Sequence, residues 1–130
     1  MQQLKYYIFL DDERVPWNVT WRDIRRDYHY NIIRSYEEFT GMIETLGYLP
    51  DYISFDHDLA DQHYGHGLNN DEIPYDRYNE KTGYDCAKWL VNYCIDNGLK
   101  FPDYDVHSMN PVGRTNIIQY IENAKAKVGI

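Results

Sequence analysis

KYYIFLDDERVP, residues 5–16, is an apolar, aromatic run that halts on two adjacent acids. Aromatic and β-branched side chains suit a pleated, buried strand, so Lys5–Leu10 reads as a strand that delivers Asp11 and Asp12 at its carboxyl end. DYISFDHDLA, residues 51–60, repeats the device: Tyr52–Phe55 is a short apolar run followed by Asp56, His57 and Asp58. Two more strands are expected at Asn31–Arg34 and Asp105–His107. Between them the period changes. Ser35 with Glu38 is a capping box, Phe39, Met42, Ile43 and Leu46 make one apolar stripe, and Gly47 ends the helix. Thr82 and Asp85 cap a second helix, in which Cys86, Trp89, Leu90, Tyr93 and Cys94 keep helical spacing until Asn97 and Gly98. Asn110 as N-cap and Pro111 as first helical residue open a third, carrying Ile117, Ile118, Ile121 and Ala124. A further short helix is expected within Trp17–Tyr30, from Trp21, Ile24 and Tyr28.

Strands alternating with helices at this spacing make βαβ units, whose right-handed crossovers give a parallel sheet. The expected architecture is a three-layer α/β domain of flavodoxin-like type, with a short parallel sheet in the order 2-1-3-4 and helices on both faces. A fifth strand after the last helix is not expected.

At 130 residues the chain has the length of one ordinary domain, taken as 1–130. The net charge of −8 argues against a surface that neutralises the phosphates of duplex DNA, while a nucleotide or a strand end stays compatible with it. No long apolar run suggests a membrane partner or a signal peptide, and a cytoplasmic location is expected. The two cysteines, Cys86 and Cys94, lie ~12 Å apart along one helix, too far to bridge, and read as small core residues. Residues 61–81 show no period. A loop of that length in a compact domain is more often functional than accidental, and a lid is one role for it. Its Tyr64, Tyr75 and Tyr78 are candidates for stacking on a base, or for anchoring the loop to the core.

In open α/β sheets, ligands bind outside the carboxyl ends of the strands, where the strand order reverses. Three segments deliver polar groups there: Asp11 and Asp12; Asp56, His57 and Asp58; and His107, Ser108 and Asn110. Gathered carboxylates repel one another unless a cation compensates them, and oxygen ligands suit Mg²⁺ or Mn²⁺. Asp11, Asp12, Asp56 and Asp58 are the candidate metal ligands, although acids at strand ends also cap turns. His57 and His107 are the candidate acid and base, since imidazole titrates near neutrality, and Asp58 is placed to orient one of them. His63 and His66 match no zinc-ligand spacing and read as solvated loop residues. The free N–H groups of the helix opened by Asn110, with Gly113 allowing close approach, suggest a phosphate site. Arg14 and Arg114 are candidates to add charge to it, with surface ion pairs as the alternative.

The stretches LDDERVP (Leu10–Pro16), SFDHDLA (Ser54–Ala60), TGYDCAKWL (Thr82–Leu90) and VHSMNPVGRTNI (Val106–Ile117) resemble the cyclic-phosphate-processing receiver-like domains, divergent relatives of response-regulator receivers. The resemblance spans most of the chain. It implies a receiver-like fold, processing of cyclic phosphates and an association with RNA repair. By similarity to receivers, Asp11 and Asp12 correspond to the metal-binding acidic pair, Asp56 to the phospho-accepting aspartate and Ser108 to the hydroxyl residue that ends the fourth strand. Receivers have a lysine on a fifth strand and lack the pair His57 and His107, so this chain departs from them in both respects. The expected activity is metal-assisted hydrolysis, a phosphodiesterase reaction on RNA 2′,3′-cyclic phosphate ends or small cyclic nucleotides. Asp56, His57 and His107 would be catalytic, and Arg14, Ser108, Asn110, Gly113 and Arg114 would hold the phosphate. The alternatives are a module that binds such a ligand without turnover, and a divergent phospho-accepting receiver.

Overall fold

The computed structural model describes residues 4–21, 29–57 and 82–130. Four strands form one sheet: β1 (Tyr7–Leu10), β2 (Tyr30–Ile33), β3 (Tyr52–Phe55) and β4 (Asp103–Val106). All neighbours are parallel and the order is β2-β1-β3-β4, as expected. Three helices follow β2, β3 and β4 in turn: α1 (Tyr36–Leu46), α2 (Gly83–Asn97) and α3 (Pro111–Val128).

The caps act as their residue types dictate. The Ser35 side chain accepts from the Glu38 N–H, Thr82 and Asp85 bond each other's backbone N–H groups, and Asn110 accepts from the Gly113 N–H. Each helix ends on a left-handed glycine, Gly47, Gly98 or Gly129, where any other residue would be strained.

Strand residues alternate between two unequal layers. Ile8, Leu10, Ile33, Ile53, Phe55 and Val106 join Phe39 and Ile43 of α1, Leu90 and Cys94 of α2, and Ile117 and Ile121 of α3 in one buried cluster. On the opposite face Phe9 packs with Val19 and Tyr30. The described helices therefore share one face, and on the other Val19, from the described start of the connection between β1 and β2, packs on Phe9. That connection starts with a 3-10 turn at Pro16–Asn18, and most of the helix expected within Trp17–Tyr30, including Ile24, lies outside the described residues. So do residues 58–81, with Asp58, His63, His66 and the three loop tyrosines.

Three strands differ from expectation at their ends. The strand expected at Lys5–Leu10 begins at Tyr7, that expected at Asn31–Arg34 covers Tyr30–Ile33, and β4 covers Asp103–Val106 and leaves His107 just beyond its end. For β4 the cause is its place at the sheet edge: Asp103 is exposed and Asp105 half-buried, so it shows no apolar alternation to read.

Candidate functional site

Register builds the site. Leu10, Phe55 and Val106 are partners across β1, β3 and β4, so the next residue in each chain also falls in one row. Backbone bonds hold that row: Asp11 N–H donates to Ile33 O at 3.0 Å, Asp56 N–H to Leu10 O at 2.9 Å, and His107 N–H to Phe55 O at 2.8 Å. Asp11, Asp56 and His107 are thus side by side, and all three are buried.

Asp11 has protein partners on both carboxylate oxygens. Its Oδ1 accepts from the backbone N–H groups of Glu13 and Arg14 at 2.9 and 2.8 Å. Its Oδ2 lies 3.0 Å from His107 Nε2 and 3.6 Å from an Arg14 guanidinium nitrogen. Burial alone would raise its pKa, but the bonds from His107 and the two backbone N–H groups outweigh burial and hold the carboxyl below its ordinary range.

His107 is held likewise. Its ring stacks on Phe9, centroids 4.4 Å apart and planes within 8°. Its Nδ1 is 2.7 Å from Ser54 Oγ, and its carbonyl oxygen accepts from Trp21 Nε1–H at 2.8 Å. Both ring nitrogens therefore have a polar partner, Asp11 at Nε2 and Ser54 at Nδ1, and the fully buried ring lies behind Asp11.

Above this row is a small pocket of about 130 Å³ lined by Asp12, Glu13, Arg14, Asp56, Ser108, Met109 and Asn110. It brings together five residues singled out from sequence: Asp12, Asp56, Arg14, Ser108 and Asn110. Arg14 is fixed between its bond to Met109 Sδ at 3.7 Å and the Trp21 ring, over which its guanidinium lies at 5.1 Å. Arg34 secures the loop from below, donating to the carbonyl oxygens of Asp11 at 3.1 Å and Arg14 at 2.8 Å.

Gly113 and Arg114 stand elsewhere. The Gly113 N–H is taken by the Asn110 side chain, and a Cβ there would run into the His57 ring. Its lack of a side chain makes room for His57 rather than for a phosphate. Arg114 Nε donates to Val106 O at 3.3 Å, across the end of β4. His57, half-buried, packs on Gly113 and faces the Tyr84 ring at 6.5 Å, while its backbone N–H donates to Asp56 Oδ1 at 2.9 Å. Gly83 brings α2 onto the same junction: its N–H donates to His57 O at 2.6 Å, and a Cβ would overlap the Asp56 carbonyl oxygen.

Sequence reasoning missed Ser54, Trp21, Arg34 and Gly83. Only Ser54 carried a signal, as the one small polar residue inside the strand YISF.

The donor set suits a divalent ion. Among the described residues, Asp11, Asp56 and His107 each offer a ligand atom, all within 4.8 Å of one another, and Asp12 adds a carboxylate at the pocket wall.

A parallel sheet in the order 2-1-3-4, with acids past β1 and β3 and a serine just past β4, defines a receiver-like domain. Within that class, the chain belongs to the family described as the cyclic-phosphate processing receiver domain, whose model matches residues 6–123. No curated protein and no solved structure matches it.

Proposed function

We propose that this protein hydrolyses cyclic phosphates, at RNA 2′,3′-cyclic phosphate ends or on small cyclic nucleotides, at the pocket between the ends of β1, β3 and β4. The observation that carries the reading is the composition of that pocket: one guanidinium, a serine hydroxyl and an asparagine share a space of about 130 Å³ with three carboxylates, Asp12, Glu13 and Asp56. That volume lies below the roughly 300–1,000 Å³ of ordinary ligand clefts and suits a phosphoryl group, with sugar and base outside.

In the reaction a water oxygen adds to phosphorus, one ring P–O bond breaks, and the departing ribose oxygen takes up a proton, leaving a phosphomonoester. Arg14, Ser108 and Asn110 hold the nonbridging oxygens. Asp56, at the pocket floor, accepts the proton of the attacking water, and His57, next to it in the chain, serves the departing oxygen. Asp11 and His107 act through position: the ring fixes the carboxylate, and the carboxylate fixes the loop that carries Asp12 and Arg14. A divalent ion such as Mg²⁺ or Mn²⁺, held by Asp11, Asp12 and Asp56, would stabilise charge on the phosphate oxygens.

The reading also places the protein in the cytoplasm. Among the described residues no helix is long and apolar enough to cross a membrane, which is compatible with that location.

The test is incubation of the chelator-treated and the Mg²⁺- or Mn²⁺-supplemented protein with 2′,3′- and 3′,5′-cyclic nucleotides and cyclic-phosphate-ended RNA, products being followed by mass. Ring opening that falls about a hundredfold or more in Asp56→Asn is the expected result. Tight binding without product would replace hydrolysis by sequestration of the same ligands.

A further inference from the structure

Resting on the reading above, we infer that Asp11, Asp56 and His107 form a mixed oxygen and nitrogen site that takes a first-row transition ion (Mn²⁺, Fe²⁺, Co²⁺ or Zn²⁺) in preference to Mg²⁺.

The spacing is that of a coordination shell. His107 Nε2 and Asp11 Oδ2 are 3.0 Å apart. Two ligands at right angles on an ion with ~2.1 Å bonds are themselves ~3 Å apart. Asp56 brings the third donor, all three atoms lying within 4.8 Å. The imidazole is already aimed. Phe9 fixes the plane of its ring, and Ser54 Oγ sits 2.7 Å from the other nitrogen. A histidine that binds a metal through one nitrogen and gives its second N–H to a neighbouring oxygen is the usual supported ligand.

Ser54 makes the site two-state. With the ion absent, the ring proton is on Nε2, shared with Asp11, and the Ser54 hydroxyl donates to Nδ1. With the ion bound, Nε2 gives its lone pair to the metal, the proton sits on Nδ1, and the hydroxyl turns to accept it. A hydroxyl serves in either sense, so the exchange moves one proton across the ring and leaves no group unpaired. Nitrogen ligation sets the selectivity, because imidazole suits transition ions while Mg²⁺ favours oxygen and holds its waters.

The test adds Mg²⁺, Mn²⁺, Co²⁺ and Zn²⁺ separately to the chelator-treated full chain. Affinities are measured by calorimetry, and the His107 imidazole nitrogens are read by NMR in the Zn²⁺ form, so that ions caught by other histidines do not count. The expected result is binding of Co²⁺ and Zn²⁺ at least about a hundredfold tighter than Mg²⁺, with Nε2 metal-bound and Nδ1 protonated. His107 is fully buried and its replacement risks unfolding, so Ser54→Ala is the informative variant. It should weaken Zn²⁺ about ten- to a hundredfold and leave Mg²⁺ unchanged. Mg²⁺ binding as tight as Zn²⁺, a proton retained on Nε2 in the Zn²⁺ form, or unaltered Zn²⁺ affinity in Ser54→Ala would each overturn the inference. Transition-ion binding here without ring opening would leave it standing and overturn the hydrolytic reading; ring opening supported by Mg²⁺ binding of equal strength would do the reverse.

Discussion

Gly83 and Gly113 occupy positions where a methyl group meets atoms already in place, backbone in one case and an imidazole in the other. The difference decides the outcome of substitution. In Gly83→Ala the new Cβ would overlap the Asp56 carbonyl oxygen, which cannot swing aside, so α2 must lift from β3 at a cost of roughly 3 kcal/mol or more. In Gly113→Ala the new Cβ would meet Cδ2, Cγ and Cβ of His57; turning the ring clears Cδ2 but not the Cβ, which moves only with its own backbone, so the expected cost is about 1–3 kcal/mol, with cyclic-phosphate turnover falling further than stability does. Gly41, inside α1 with nothing within 4 Å of its would-be Cβ, is the control. Gly41→Ala should stabilise by about 0.5–1 kcal/mol, because only chain entropy changes. Urea midpoints of the three variants check the order, and a Gly83→Ala protein as stable as wild type would refute the close approach of α2. The buried thiols give a second prediction at this scale. Burial pushes Cys94 up to about 11 and Cys86 well above its ordinary value. A raised folded pKa favours the protonated, folded form below the unfolded value of about 8.5, and that contribution is lost as pH rises toward the folded value. Urea midpoints should therefore decline between about pH 8 and about pH 10, and decline less steeply in Cys94→Ala.

At the level of elements, α2 shows how a cap serves a site. Asp85 Oδ2 accepts from the Thr82 N–H at 2.8 Å and Thr82 Oγ1 accepts from the Asp85 N–H at 3.4 Å, which fixes the turn that presses Gly83 against β3. Thr82→Ala should cost about 1 kcal/mol in urea unfolding, and since fraying begins where Asp56 is held, ligand affinity should fall with it. This cap was legible in the sequence, as were Ser35, Asn110 and the closing glycines, because capping depends on one side chain and its own backbone. β3 was legible because Tyr52, Ile53 and Phe55 make it a short, mostly apolar run that ends on acids. The start of β4 was not, since Asp103 and Asp105 leave this edge strand without an apolar run. The acids and the serine of the site could be found because they sit one or two residues past strand ends, a rule that needs only topology. The surroundings of His107 were beyond reach: they depend on Phe9 and Ser54, which pair with each other across β1 and β3 and stand in register with Asp105, two residues before His107.

For the whole molecule the controlling quantity is charge. The chain carries −8 at neutrality, and its pocket pairs the Arg14 guanidinium with Asp12, Glu13 and Asp56. A cyclic mononucleotide brings about one negative charge to this field. An RNA strand ending in a cyclic phosphate brings one per nucleotide and is repelled over its length, while only its terminal phosphate enters the pocket. Exposed charges interact across ~30 Å at 0.01 M salt and only ~8 Å at 0.15 M, so added salt relieves that repulsion far more than it weakens the short contact between Arg14 and one phosphate. Under the proposed activity, kcat/KM for a cyclic-phosphate-ended oligonucleotide should rise severalfold over that salt range, while kcat/KM for the corresponding cyclic mononucleotide stays flat or falls slightly. A steep fall for the oligonucleotide would mean that cations of this chain track the RNA backbone, as in proteins that bind nucleic acid by releasing counterions, and it would refute the view of the acidic surface as a filter for small or terminal substrates.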